Sequence, residues 1–150
     1  MPRAEAKAII EGYFASYPKV KEYMDYSAVS AREKGYVETI FGRRRYLNDI
    51  SSRNAVARGL AERNAINAPI QGSAADIMKI AMVAIHREFE NCGLKSKMIL
   101  QVHDEVIIDM LRSEQQQVVE IVTRAMEGAA QLSVPLITDY GIGKNWLEAH

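Results

Sequence analysis

Leu100-Gln101-Val102-His103-Asp104-Glu105-Val106-Ile107-Ile108 sets two adjacent carboxylates and a histidine between two runs of strand-forming apolar residues. One straight strand from Lys97 to Met110 would span roughly 46 Å at ~3.3 Å per residue, far beyond the usual strand length. The stretch is therefore expected to fold as a hairpin bending near His103-Asp104, with the acids at an exposed tip. Carboxylates fixed at a tip and backed by a buried sheet suit oxygen-preferring divalent cations such as Mg²⁺. An ordinary polar turn could carry the same residues, so the reading needs support from the rest of the chain.

The bulk composition sets the limits. A chain of 150 residues, 48% hydrophobic and 25% charged, is one domain or part of one, long enough to bury a core. No apolar run approaches the ~20 residues of a membrane span, and no secretory signal pattern stands at the start. Cys92 is the single cysteine, which excludes an internal disulfide and fits a reducing cytosol. The net charge of zero hides an uneven distribution. Between Arg32 and Asn64 eight cations face four anions, whereas from His103 onward three cations face eight anions. An arginine-dominated segment is what a phosphate-backbone surface needs, although solvated helix faces produce the same asymmetry.

Punctuation along the chain divides it into elements. Arg3 to Ser16 reads as a helix with Ala8, Ile9, Tyr13 and Phe14 near the helical period, and Pro18 opens a second helix that Gly35 stops near Lys34. Tyr36 to Phe41 alternates as a strand, and Gly42 with the arginines turns into a short return strand near Tyr46-Leu47. A third helix is predicted from about Arg53 to Ile66, ahead of Pro69, and a fourth from there to Asn91, closed by Cys92-Gly93. Ile70, Ala74, Ile77, Met78, Ala81, Ile85 and Phe89 form the fourth helix's apolar stripe. After the central hairpin, Ser113 is expected to cap a helix whose inward face is Val118, Ile121, Val122, Ala125 and Met126. Pro135 then introduces a last strand, Leu136 to Ile142. Helices packed on a small antiparallel sheet give an α+β class. The sheet is small for the helix mass around it and the chain opens inside a helix, as expected of a piece of a longer protein.

A second constellation accompanies the hairpin. Arg63, Asn67 and Gln71 are spaced i, i+4, i+8 and share one face if helical geometry persists through Pro69. All three are long-armed hydrogen-bond donors. The minor groove of duplex DNA offers acceptors at purine N3 and pyrimidine O2 on every pair. Such a row can test the shape of a base pair without reading which pair is present. Alone, it would more simply be a solvated helix face.

Taken together, Arg63-Asn64-Ala65-Ile66-Asn67-Ala68-Pro69-Ile70-Gln71-Gly72-Ser73-Ala74-Ala75-Asp76 and, some thirty residues on, Gln101-Val102-His103-Asp104-Glu105 strongly resemble family A DNA polymerases, the bacterial DNA polymerase I group. Gly35-Tyr36-Val37-Glu38-Thr39-Ile40-Phe41-Gly42-Arg43-Arg44-Arg45, Val134-Pro135-Leu136, Gly141-Ile142-Gly143 with Trp146, and Tyr13-Phe14 with Tyr17-Pro18 extend the likeness over essentially the whole chain.

The resemblance implies that the His-Asp-Glu hairpin lies on a palm-type sheet. Asp104 then resembles the carboxylate that holds two catalytic Mg²⁺ ions, and Glu105 the neighbouring auxiliary acid. His103 matches a residue contacting the primer end, with a backbone-bonded turn residue as its alternative. Arg63, Asn67 and Gln71 match residues lining the minor groove beside the primer terminus. Arg43, Arg44 and Arg45 would lie near the nucleic-acid backbone, at least one of them expected in a structural salt bridge instead. Primer–template DNA and deoxynucleoside triphosphates are the implied partners, and the cytoplasm of a bacterium, near the nucleoid, the implied location.

Two family features are missing: the second metal-binding aspartate strand and the fingers helix that holds the incoming nucleotide. Asp25-Tyr26-Ser27 superficially looks like the start of that aspartate motif, yet Ser30 stands where the family has glutamate and the segment reads as mid-helix. The chain is thus expected to be the C-terminal part of a polymerase domain, inactive alone, binding Mg²⁺ weakly or not at all. An exposed sheet edge left by the missing strand would favour self-association. A non-catalytic DNA-binding module is the alternative. A metal-dependent nuclease is more distant, because the last strand offers only Asp139.

Overall fold

The computed structural model describes residues 2–149; Met1 and His150 lie outside the described residues. In order come α1 (Arg3–Ser16), α2 (Pro18–Lys34), β1 (Tyr36–Glu38), β2 (Arg44–Tyr46), α3 (Ala55–Asn91), β3 (Lys97–Val102) and β4 (Glu105–Asp109). A 3-10 turn at Arg112–Glu114, α4 (Gln115–Glu127) and α5 (Trp146–Ala149) follow. The class is α+β. Among the described residues the strands form two separate antiparallel ribbons, β1–β2 and β3–β4, rather than the one sheet expected. Contacts divide the chain into two compact units, Met1–Ser73 and Ala74–His150.

In the first unit, Pro18 opens α2, where its missing N–H costs nothing, and Gly35 ends it at φ 77° with its N–H on the Ala31 carbonyl. Asp25 is an exposed residue in the middle of this helix, as the sequence suggested, and pairs with Lys21. β1 stops at Glu38, not Phe41, because Thr39 turns the chain. The Thr39 N–H donates to the Arg43 carbonyl, and its Oγ1 accepts the N–H groups of Phe41 and Arg43. The core of this unit gathers Ala31, Leu47, Ile50, Ala61 and Ala65.

Asn54 caps α3, its Oδ1 accepting the Val56 N–H at 2.9 Å. The expected break ahead of Pro69 does not occur, and the helix runs from Ala55 to Asn91 through the proline. A mid-helix proline removes one donor and crowds the carbonyl of the preceding turn. Here two hydroxyls supply extra donors to nearby carbonyls, Tyr23 to Ile66 at 2.9 Å and Ser73 to Pro69. These bonds pin the turns on either side of the proline, and the helix continues. Buried Ser73 also accepts the Ile40 N–H at 3.0 Å, which ties the β1–β2 turn to α3.

That tie requires close approach at Gly72. A Cβ there would stand 2.7 Å from Thr39 Cγ2 and 3.3 Å from an Arg43 guanidinium nitrogen. Gly72→Ala is expected to cost about 1–3 kcal/mol of unfolding free energy in denaturant titration, the usual range for overpacking. Thr39→Ser in the same chain, which keeps Oγ1 but deletes Cγ2, should recover most of it.

In the second unit, β3 and β4 pair from Lys97–Asp109 to Val102–Glu105, with a bulge between Met98 and Leu100. Ile85 and Phe89 of α3 and Val118 and Ile121 of α4 are buried together, and Val106, Ile108 and Met110 pack on them. Val122, Ala125 and Met126 complete the inward face expected of α4.

Two expectations fail in this unit. Ser113 lies within the 3-10 turn and caps nothing; Glu114 occupies the cap position of α4, with no side-chain cap bond, its carboxylate turned elsewhere. Leu136 to Ile142 forms no strand, for it has no strand partner among the described residues and Ile137 stands 78% exposed. Its Thr138 N–H is held by Glu127 Oε1 at 3.1 Å instead. No helix among the described residues is long and apolar enough to cross a membrane.

Candidate catalytic hairpin and nucleic-acid interface

The β3–β4 ribbon turns in two residues, His103 and Asp104, since Val102 pairs directly with Glu105. His103 has φ 51°, the left-handed conformation that a tight hairpin turn demands and that histidine tolerates better than branched residues. Gln101 Nε2 donates to the His103 carbonyl at 2.6 Å, giving the turn a side-chain brace. His103 and Asp104 are exposed, and Glu105 is half-buried at the start of β4. Asp104 thus sits at the bend of a short ribbon whose far face is anchored by Val106 and Ile108 on the core. Among the described residues no three His, Cys, Asp or Glu side chains gather as a metal site.

The base of the same ribbon is clamped in a way the sequence did not disclose. Glu114 accepts the N–H of Lys95 at 3.0 Å and, through Oε2, the N–H and hydroxyl of Ser96 at 2.9 and 2.7 Å. The Ser96 hydroxyl, itself buried, accepts the Leu111 N–H at 3.0 Å. One carboxylate therefore joins the entry to β3 with the exit from β4. No local pattern could have found this, because Ser96 and Glu114 are brought together only by the fold. The Lys95 N–H, then the Ser96 hydroxyl and N–H, hold the Glu114 carboxyl below its ordinary range.

Because the folded value lies below the unfolded one near 4.5, the clamp contributes stability above that value and loses it as pH falls through the folded value. The melting temperature is expected to drop on acidification from about pH 5 to pH 3, with a shallower drop in Glu114→Gln, read by circular dichroism.

In the first unit, Arg63, Asn67 and Gln71 all lie on α3, whose continuity through Pro69 places them on one face, and all three are exposed. A shallow cavity of about 180 Å³ between the β1–β2 ribbon and α3 brings Gln71 together with Arg43 and Arg45. The three arginines differ in occupation. Arg44 Nε donates to Glu38 Oε1 at 2.8 Å, with its guanidinium 4.5 Å from the Tyr36 ring centre. Glu38 and then Tyr36 raise its pKa, so it is the structural salt bridge anticipated from the sequence. Arg43 donates to the Gly72 carbonyl at 3.1 Å and so helps seat the turn on α3. Arg45 is exposed beside Gln71 and forms no ion pair among the described residues.

Comparison with known proteins sets these surfaces in context. The family model for DNA polymerase family A matches residues 1–148. DNA polymerase I of Streptococcus pneumoniae (TIGR4) is 54% identical over 98% of the chain, and that of Pseudomonas aeruginosa PAO1 51% identical over 99%. The chain spans only 17% and 16% of the length of these two relatives. Among solved structures, the POL domain of Pol1 from M. smegmatis, in complex with DNA primer-template and dNTP, superposes with a TM-score of 0.97 at 42% identity. That match covers 99% of the chain and 26% of the other.

Proposed function

Because the chain belongs to DNA polymerase family A, we propose that it forms the C-terminal palm portion of a template-directed DNA polymerase, acting on primer–template DNA and deoxynucleoside triphosphates in replication or repair. The observation that carries this is the two-residue turn presenting Asp104, in a chain matched by the family over residues 1–148.

Asp104 holds Mg²⁺ in this reading, with Glu105 as its auxiliary. The donor chemistry fits: Mg²⁺ is typically held by one or two carboxylates plus substrate phosphates rather than by an all-protein cage. When bound, magnesium lowers the pKa of the primer 3′-hydroxyl and neutralises charge on the leaving pyrophosphate. His103, next to that acid, faces the primer end. Arg63, Asn67 and Gln71 donate to minor-groove acceptors of the terminal pairs, so a mispair that displaces those acceptors loses bonds. Arg45 is the arginine best placed for a backbone phosphate, since Arg44 is paired with Glu38 and Arg43 holds Gly72. The unpaired edges of the β3–β4 ribbon give the isolated chain a route to self-association.

The second metal aspartate and the nucleotide-holding fingers helix come from other parts of the polymerase. Asp104 and Glu105 would hold magnesium together with carboxylates supplied from outside this ribbon. The isolated 150-residue chain is therefore expected to give no template-dependent product with Mg²⁺. Exchanged for the matched residues of the pneumococcal DNA polymerase I, it should support extension of a primed template. A chimera that folds and binds primer–template but fails to extend it would overturn the proposal. So would extension by the isolated chain.

A further inference from the structure

The clamp at the base of the β3–β4 ribbon has no part in the reaction as described, yet its position gives it one. A two-stranded ribbon is marginal on its own and takes its orientation from what holds it. On the inward face Val106 and Ile108 rest on the helical core. At the base, Glu114 grips the Lys95 and Ser96 N–H groups and the Ser96 hydroxyl, while that hydroxyl takes the Leu111 N–H. Both strands are thus fixed where they leave the ribbon. The six residues of β3 carry the turn roughly 20 Å from this point at ~3.3 Å per residue. A swing of about 3° at the base would then move the tip by about 1 Å, a displacement that in an active site can cost a hundredfold.

We propose that Glu114 and Ser96 are positioning residues for Asp104, setting the angle at which the ribbon presents its carboxylate to magnesium and the primer end. The inference rests on the polymerase reading above. Glu114 touches neither substrate nor metal; it acts through the ribbon. Its bonds go to the Lys95 and Ser96 N–H groups and the Ser96 hydroxyl, outside the apolar core, so a smaller or neutral side chain leaves the strand bases free to shift rather than unfolding the core.

The test compares Glu114→Ala, Glu114→Asp, Ser96→Ala and Asp104→Asn in the chimeric polymerase. Glu114→Ala should lower kcat by about tenfold and raise the Mg²⁺ concentration for half-maximal rate by a similar factor, less than the hundredfold that a full 1 Å displacement can cost. KM for primer–template should not change, because no groove-facing donor is altered. Glu114→Asp should restore part of the loss, and Ser96→Ala should reproduce a fraction of it. In the 150-residue chain, amide exchange across residues 97–109 should quicken in Glu114→Ala.

Wild-type kcat and Mg²⁺ requirement in Glu114→Ala would overturn the inference. A loss in Glu114→Ala that disappears on cooling, in step with its melting curve, would overturn it equally. Should Asp104→Asn extend primers normally, the polymerase reading of the hairpin itself fails. Should Asp104→Asn be inactive while the Glu114 variants behave as wild type, only the positioning role fails.

Discussion

Asp104→Asn in the chimeric polymerase is expected to lower primer extension at least about a thousandfold, the rate equivalent of several kcal/mol of charge stabilisation. The substitution keeps the size of the side chain and one carbonyl oxygen, but removes the charge that a hard divalent cation selects. Since Asp104 is exposed at the turn, the folded state should be nearly indifferent, with unfolding free energy within about 0.5 kcal/mol of the parent. Loss of extension with intact stability and intact primer–template binding would locate the defect in the chemistry. Glu105→Gln should cost much less, as suits an auxiliary acid. Equal effects at the two positions would require a different division of labour.

The largest effect on folding is expected at Ile85. It is fully buried, on the α3 face that meets Phe89, Val118 and Ile121. Ile85→Ala removes three heavy atoms from a cluster that also anchors Val106 and Ile108 of the β3–β4 ribbon. The expected loss is about 2–5 kcal/mol, against the 5–15 kcal/mol that typically separates folded from unfolded domains. Ile80, on the same helix but 40% exposed, serves as the control. Its replacement by alanine should shift the urea midpoint far less. Comparable losses at the two positions would mean that the second unit does not depend on this cluster.

What could be read from the sequence follows from where the determining interactions lie. The limits of α1 and α2 were legible because proline and glycine act locally: Pro18 suits the first turn of a helix and Gly35, at φ 77°, readily ends one. The bend at His103-Asp104 was legible from length alone, as no ordinary strand is long enough to run through it. Pro69 misled for the opposite reason. The helix runs through it while Tyr23, more than forty residues away in sequence, ties its hydroxyl to the Ile66 carbonyl in the turn before it, a contact that no local pattern announces. Leu136 to Ile142 has the residues of a strand, but a strand is a relation between two segments and this one has no partner among the described residues. The candidate-site residues were selected by spacing, side-chain type and the family resemblance. Their division of labour was not legible, because only the fold places Arg44 on Glu38 and Glu114 on Ser96.

The irregularity at Ile99 makes the ribbon sensitive to changes in length as well as in chemistry. Directly paired residues share a side of a ribbon, so Met98 goes with Ile108 towards the helices whereas Leu100 goes with Ile107 away from them. One supernumerary residue thereby exchanges inside for outside halfway along β3. Deleting Ile99 would act as a frameshift written in space: every position before it would change sides, or every position after it would, although no other letter had altered. Point changes at Ile99 should therefore be far better tolerated than any gain or loss of a residue there, and variation within this segment is expected to proceed by replacement alone.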